Sequence, residues 1–358
     1  IYYMDSVPDA AAVNESVKLV RMAGKSRAAR FVNGVLRNLL RQKDSAPFPP
    51  AGKTALQTKA IRYSCPGWLI AFWEKAYGAD VTGALLESLS CRPPVYVRVN
   101  TLRTTREALF QTLREQGMEA QPVSFLPNAI ALQHTGAIAE NRAFQQGLFH
   151  VQDLSSQLCC FFLGAKPHER IYDVCAAPGG KTFTIAQAMQ GTGEVAAFDL
   201  YPGKVRLIQQ GAQRLGLLNV HAAQRDAASP GEALPPADRV LCDAPCSGLG
   251  ILRRKPEIRY KSKESIDSLP DLQYRILCKS ASLVRPGGVL LYSTCTLNPA
   301  ENGKNAVRFL EEHPAFCALP LSLPQGVERV LDEPENQLTL FPQGQTDGFF
   351  ISTFQRKD

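Results

Sequence analysis

The sequence predicts an α/β fold with a mostly parallel sheet, preceded by a small α/β module and, before that, an all-helical region. Three observations predict it. From residue 151 onward, apolar strand patterns alternate with helical ones, as in a parallel sheet covered on both faces. A glycine-bearing turn, Cys175-Ala176-Ala177-Pro178-Gly179-Gly180-Lys181, lies between one such strand and the helix after it. Successive strands then end on Asp or Cys, so that polar chemistry collects along one sheet edge. At 358 residues the chain is too long for one average domain, and two or three are expected.

In chain order, residues 11–42 read as helix, with Val13, Val17, Val20, Phe31, Val32, Val35, Leu36, Leu39 and Leu40 at helical spacing. Gly24-Lys25-Ser26 breaks this stretch into two helices, and Ala46-Pro47-Phe48-Pro49-Pro50-Ala51-Gly52 reads as a rigid connector. Residues 54–90 continue as short helices, with a turn at Cys65-Pro66-Gly67 and an aromatic cluster of Trp68, Phe72, Trp73 and Tyr77 that reads as packing core. Cys91-Arg92-Pro93-Pro94 marks a boundary. A strand over 95–100, a helix over 104–117 and strands near 119–124 and 129–133 then form a module spanning 91–150. Beyond it, strands are expected at 170–176, 194–200, 219–225, 238–244, 288–295 and 348–355, and helices at 180–190, 202–215, 266–284 and 300–312. Asn298-Pro299-Ala300-Glu301 reads as the start of the last helix, with a capping Asn, Pro in the first turn and Glu at the third helical position. The expected domains are therefore 1–90, 91–150 and 151–358.

Composition excludes some classes. No apolar run approaches the roughly 18 residues of a membrane span, so no membrane partner is expected. The opening Ile1-Tyr2-Tyr3-Met4-Asp5 is neither a signal peptide nor a natural initiator, and the chain is expected to begin inside a longer parent. Ten cysteines without a C-x-x-C pair, and five histidines with none close to another, give no metal pattern and point to reduced thiols in the cytoplasm. The net charge of +7 is concentrated: residues 1–43 and 253–263 each carry +5. Two basic segments on an otherwise slightly acidic chain suggest phosphate contacts, against the alternative of two solvated faces. The candidates are Lys25, Arg30 and Arg37 in the first segment, and Arg253, Arg254, Lys255 and Arg259 in the second.

In open α/β sheets, ligands bind beyond the carboxyl ends of the strands, where the strand order reverses. The turn after Ile171-Tyr172-Asp173-Val174 lacks both G-x-G-x-x-G and G-x-x-x-x-G-K-[ST], which disfavours a dinucleotide or a nucleoside triphosphate. Asp199, about twenty residues on, stands where an acid commonly accepts from ribose hydroxyls, and Asp226 and Asp243 end the next two strands. A strand-end Asp is commonly a helix cap, but three along one edge favour a nucleoside-like ligand. Cys246 and Cys295 close two strand ends in Asp243-Ala244-Pro245-Cys246 and Ser293-Thr294-Cys295-Thr296. A thiolate can add to an electron-poor ring and later be expelled, although a buried structural Cys is the alternative for either position.

The glycine turn, the three aspartates and Arg285-Pro286-Gly287-Gly288 resemble the Rossmann-like fold of S-adenosylmethionine-dependent methyltransferases. With Asp243-Ala244-Pro245-Cys246-Ser247-Gly248, Thr294-Cys295, Asn298-Pro299-x-Glu301-Asn302 and Asp347-Gly348-Phe349-Phe350, residues 151–358 are similar to the RNA cytosine-C5 methyltransferases of the Sun/Fmu type. Val13-Asn14-Glu15 and Phe31-Val32-Asn33-Gly34-Val35-Leu36-Arg37 resemble the RNA-binding domain shared with the antitermination factor NusB, with its opening helices missing. Residues 91–150 resemble the family's small RNA-recognition-like module. The resemblance implies S-adenosylmethionine as cofactor, held by Cys175, Ala176, Ala177, Pro178, Gly179, Gly180, Lys181, Asp199, Asp226 and Asp243. It implies Cys295 as nucleophile, Cys246 in product release and Asp243 on the N3/N4 edge of the base. It also implies small-subunit ribosomal RNA, free or partly assembled, as partner, with the protein acting as a monomer. Thr296 departs from the family, where Ser commonly follows the second cysteine, but it keeps the hydroxyl. A tRNA methyltransferase and a non-catalytic RNA-binding assembly factor are the alternatives.

Overall fold

A computed structural model describes residues 1–358 except 3, 5, 44, 46–51, 134, 230–232 and 343–344. The expected connector at 46–52 therefore lies outside the described residues, apart from Gly52. The chain divides into two units, residues 1–71 and 72–358.

The first unit is helical. α1 (Asp9–Met22) and α2 (Ala29–Arg41) are separated by Gly24 at φ 73° and a short 3-10 turn, as the Gly-Lys-Ser break predicts. Thr54 caps α3 (Ala55–Arg62) by accepting from the Gln57 amide. α4 (Gly67–Ser88) begins here and runs into the second unit, interrupted at Gly78. The aromatic cluster divides: Trp73 is fully buried, Tyr77 meets Phe341 edge-on at 5.1 Å, and Trp68 is 37% exposed rather than core.

The second unit contains two sheets. The smaller is antiparallel, in the order β2-β3-β1-β4, from β1 (Val95–Val99), β2 (Glu119–Pro122), β3 (Ala129–Gln133) and β4 (Phe149–Val151). Its core joins Val97, Val99, Ile130 and Phe149 to Leu109 and Leu113 of α5 (Arg106–Glu115), with the short α6 (Arg142–Gln145) alongside. α7 (Leu154–Leu163) then leads into the larger sheet. No periodicity announced α7, because it is buried nearly all round and has no polar face to set a period.

The larger sheet has the order β10-β12-β9-β8-β5-β6-β7, with β11 also paired to β12. Its parallel part comprises β5 (Arg170–Asp173), β6 (Glu194–Asp199), β7 (Val220–Gln224), β8 (Ala237–Asp243) and β9 (Val284–Thr294). β10 (Phe316–Ala318), β11 (Gln337–Leu340) and β12 (Phe349–Arg356) are antiparallel additions. Alternate residues face opposite cores. Ile171, Val195, Leu241 and Leu291 pack with α7, α8 (Gly180–Ala188) and α9 (Pro202–Leu215). Tyr172, Phe198, Val240 and Tyr292 pack with α11 (Leu269–Ser282) and α12 (Gly303–Glu312).

Two helix expectations are corrected. The helix expected over 266–284 is two, α10 (Lys263–Asp267) and α11, the second starting afresh with Pro270 in its first turn. The last helix begins at Gly303, not 300: Asn298 caps only a turn, through the Ala300 amide, because the Glu301 carboxylate is engaged elsewhere. The chain runs β5-β6-β7 outward and returns to β8 on the other side of β5, so the order reverses between β5 and β8.

Candidate active site

A cleft of about 210 Å³ opens at that reversal, lined by the turn after β5, by Asp173, Lys181 and Asp243, by Gln152 and Asp153 just before α7, and by Ser156 in its first turn. A larger cavity of about 330 Å³, among Phe125, Leu158, Val327 and Phe341, contains none of the strand-end aspartates or thiols. The smaller cleft, lined by Asp173 and Asp243 though not by Cys246 or Cys295, is the candidate ligand site, since ligands of such sheets bind where the strand order reverses.

The turn is a backbone device. Gly179 sits at φ 109°, and a Cβ there would lie 2.3 Å from the Phe183 ring, so only glycine allows the close packing of turn on helix. Asp199 is buried at the end of β6 and accepts from the Ala177 amide (3.4 Å) and the Tyr201 amide (3.1 Å). Asp226 instead closes its own turn through the Ala228 amide and the Ser229 hydroxyl, which lower its pKa. Neither Asp199 nor Asp226 lines the cleft itself. Beneath the turn, burial pushes Asp173 up to about 7, although it accepts from Thr182 at 2.7 Å. Burial also raises the Cys175 thiol well above its ordinary value.

Lys181 joins the turn to the strand ends. Its Nζ lies 2.7 Å from Asp243 Oδ2 and 5.1 Å from the Phe349 ring centroid. Burial disfavours its charge, but Asp243 together with the Cys159 and Cys160 thiols raises the Lys181 pKa, so the ammonium persists. The Ser293 hydroxyl donates to Asp243 Oδ1 at 2.8 Å, so the carboxylate is held from two sides.

The strand ends bring Cys246 and Cys295 together, with sulfurs 3.2 Å apart. The Cys295 thiol is lowered, first by the hydrogen bond from Cys246 and also by Lys181, against burial and Asp243. The Cys246 thiol is raised by that same bond, by burial, and by Cys295, Glu301 and Asp243. Of the two sulfurs, Cys295 is therefore the one whose ionisation is favoured, and either can donate across the 3.2 Å contact. Elsewhere, burial pushes Cys160 and Cys242 up to about 12, which leaves them inert.

A buried polar cluster supports the thiols, and the sequence reading missed most of it. Glu301 Oε1 accepts from the Ser247 hydroxyl (2.5 Å) and the Asn298 amide (2.9 Å). Its Oε2 accepts from the Ser247 backbone N–H (2.9 Å) and the Gln273 amide (2.7 Å). The Thr296 hydroxyl lies 2.6 Å from Ser247 Oγ and accepts from the Leu249 amide at 3.3 Å. The hydroxyl kept at 296 is thus in use. The Trp73 indole donates to the Leu297 carbonyl at 3.1 Å. Asn-Pro-x-Glu was a visible signal for this cluster, but a local pattern attaches it to the helix that follows rather than to Ser247.

The basic segment after Cys246 is corrected in part. Arg253 is 2% exposed at its side chain and bonded to Asp347 Oδ1 at 2.8 Å, an enclosed ion pair that does not present a guanidinium to phosphate. Arg254 joins Asp347, Asp153 (2.8 Å) and the Pro94 carbonyl (3.1 Å), so it braces the cleft wall, and Arg259 is buried. Lys255 is exposed, as are Lys25, Arg30 and Arg37 in the first unit. No group of three or more metal-ligating side chains occurs among the described residues. No helix among them is long and apolar enough to cross a membrane.

Residues 160–355 match the family described as 16S rRNA methyltransferase RsmB/F. Residues 65–139 match its ferredoxin-like domain, and residues 1–41 match the NusB family. The chain is 37% identical over 361 residues to the "Probable ribosomal RNA small subunit methyltransferase B" of Bacillus subtilis (strain 168), covering 99% of this chain and 80% of that protein. It is 32% identical over 354 residues to the ribosomal RNA small subunit methyltransferase B of Salmonella arizonae, covering 98% and 79%. A solved methyltransferase homolog protein from Pyrococcus horikoshii superposes with a TM-score of 0.74 at 28% identity, covering 85% of this chain and 100% of that one.

Proposed function

The chain belongs to the 16S rRNA methyltransferase RsmB/F family, and from that premise we propose that it methylates C5 of a cytosine in small-subunit ribosomal RNA through a covalent bond from Cys295 to C6. The observation that carries this reading is the pair of thiols 3.2 Å apart at adjoining strand ends, with the pKa of Cys295 lowered and that of Cys246 raised.

The donor set around the turn fits S-adenosylmethionine. Asp199 ends β6 and Asp226 lies in the turn two residues past β7, positions that suit a ribose and its base, while the glycine backbone after β5 admits close approach. Residues 175–181, Asp199, Asp226 and Asp243 would hold the cofactor, and when bound it supplies an electrophilic methyl group.

C5 of cytosine is a weak nucleophile. Addition of the Cys295 thiolate to C6 turns the ring into an enamine-like species with electron density at C5, which is what covalent catalysis contributes here. Asp243, held by Lys181 and Ser293, is oriented to accept from the exocyclic amine at the N3/N4 edge. After methylation the C5 proton is lost to water, and its bonding pair forms the C5–C6 double bond. The C6–S bond breaks with its electrons left on the Cys295 sulfur. Cys246, a protonated neighbour, hydrogen-bonds that departing sulfur and assists release. The base must be unstacked before C6 can be reached, which costs least in a single-stranded element. Lys255 and the exposed Lys25, Arg30 and Arg37 are offered as phosphate contacts.

Cys295→Ala should abolish methyl transfer to small-subunit rRNA while leaving S-adenosylmethionine binding intact, and appreciable residual turnover sinks the assignment. Cys246→Ala should accumulate a denaturation-resistant protein–RNA band. If Cys295→Ala gave that band and Cys246→Ala did not, the roles would be reversed.

A further inference from the structure

Glu301 is fully buried, yet its four hydrogen-bond partners are all donors: two from Ser247, one from Gln273 and one from Asn298. Four donors on two oxygens fill the acceptor sites that a carboxylate offers. Ser247 follows Cys246, and Asn298 lies three residues beyond Cys295, so one side chain grips both thiol-bearing loops. Gln273 extends the grip, since its amide also donates to the Pro245 carbonyl at 2.9 Å.

The directions of the hydroxyls follow. Ser247 donates to Glu301, so the 2.6 Å contact requires Thr296 to donate to Ser247, while Thr296 accepts from the Leu249 amide. A one-way chain therefore runs from Leu249 through Thr296 and Ser247 to Glu301, crossing three times between the loops. The Gly250 amide adds a backbone bond to the Cys295 carbonyl at 3.1 Å. Nothing in this set touches the cleft, and all of it fixes where one sulfur stands relative to the other.

We propose that Glu301 is the positioning residue of the two-thiol centre, holding the Cys246 loop in register with the Cys295 loop so that Cys246 reaches the sulfur as product leaves. The inference rests on the covalent reading above. Glu301 acts through Ser247, and Thr296 is the relay on the opposite loop. A hydroxyl at 296 is required, and Ser or Thr serves equally. The negative charge of Glu301 has a second consequence, since it helps keep Cys246 protonated and thus able to donate.

The test compares Glu301→Gln, Thr296→Val and Thr296→Ser in the full chain with a 16S rRNA transcript and S-adenosylmethionine. A glutamine offers one acceptor oxygen to four donors, and a valine keeps the shape of Thr296 while ending the chain. Both should lower kcat about 100-fold, as expected for a displacement of about 1 Å near the chemistry. Both should leave the KM for RNA within about twofold, because only release-stage contacts change. Both should accumulate the covalent RNA band. Thr296→Ser should behave as wild type. A merely structural role would instead lower the folded fraction, with kinetics per folded molecule unchanged and no band, and that result overturns the proposal. A second readout needs no RNA: binding of phenylarsine oxide, which bridges neighbouring thiols, scored against Cys246→Ser in each background. Loss of this component in Glu301→Gln and Thr296→Val supports positioning even if wild type proves not to methylate cytosine. Its persistence at the wild-type level in both variants overturns the proposal.

Discussion

The cofactor turn and the two thiol loops lie at the same sheet edge but are held by opposite means. The turn relies on backbone: Gly179 at φ 109°, Ala176 bonded to Phe198, and a ring packed where a Cβ would be. The loops rely on buried side chains, with Glu301, Ser247, Gln273 and Thr296 sharing their hydrogen bonds. A turn that receives a ligand must leave room for it, which glycine provides. Two sulfurs that act in sequence must keep a fixed separation, which a saturated carboxylate provides. Lys181 belongs to both, because it starts from the turn and ends on Asp243 beside the thiols.

That shared position makes Lys181→Met a large perturbation that reaches both devices and removes no thiol. With Lys181 gone, Cys295 loses the nearby cation that favours its thiolate, and Asp243 loses a partner that orients it. Turnover near pH 7 should fall about 100-fold, in line with an effect of one to three pKa units from a close opposite charge. The sign is fixed: a cation lowers the thiol pKa, so its removal shifts the rising limb of the kcat–pH profile to higher pH. A lower rate with an unshifted limb would separate Lys181 from Cys295 and make the turn and the loops independent.

Gly179→Ala tests the turn alone. It forces a Cβ against Phe183 at a φ that side chains rarely adopt, a strain of about 1–3 kcal/mol. S-adenosylmethionine affinity should drop about tenfold or more by calorimetry. The arsenical signal of the two thiols should stay at the wild-type level, since no thiol-loop contact is touched. Loss of that signal would mean the two devices are coupled through the strands.

The same contrast explains what the sequence made legible. Strand and helix alternation, the glycine turn and both strand-end cysteines are local patterns, and the sheet places Asp173, Asp243 and Ser293 in neighbouring strands through β5–β8 and β8–β9 pairing. The supports of the loops are not local. Glu301 reads as part of a helix start because its neighbours match a capping pattern, while its main partner Ser247 lies 54 residues away. Arg253 and Arg254 read as phosphate contacts because a charge run shows nothing of Asp347, 94 and 93 residues later. A buried carboxylate paired across the fold leaves no periodicity behind, and only tertiary contact discloses it.

Asp173 gives the contrast its mildest test. Where Glu301 meets four donors, Asp173 accepts from Thr182 at Oδ2 while its buried Oδ1 meets no donor among the described residues, and burial raises it from 3.8 to about 7. In the unfolded chain the group ionises near its ordinary value, so between about pH 4 and 7 the folded state binds the extra proton. Stability must then decline as pH rises through that window and level off above it, by at most about 4 kcal/mol from this group. Asp173→Asn removes the titration, so its melting temperature should lack that share of the decline from pH 5 to 8 seen in wild type. If wild type and Asp173→Asn lose stability in parallel, Asp173 is ionised in the fold and the turn satisfies a buried carboxylate as fully as the loops do.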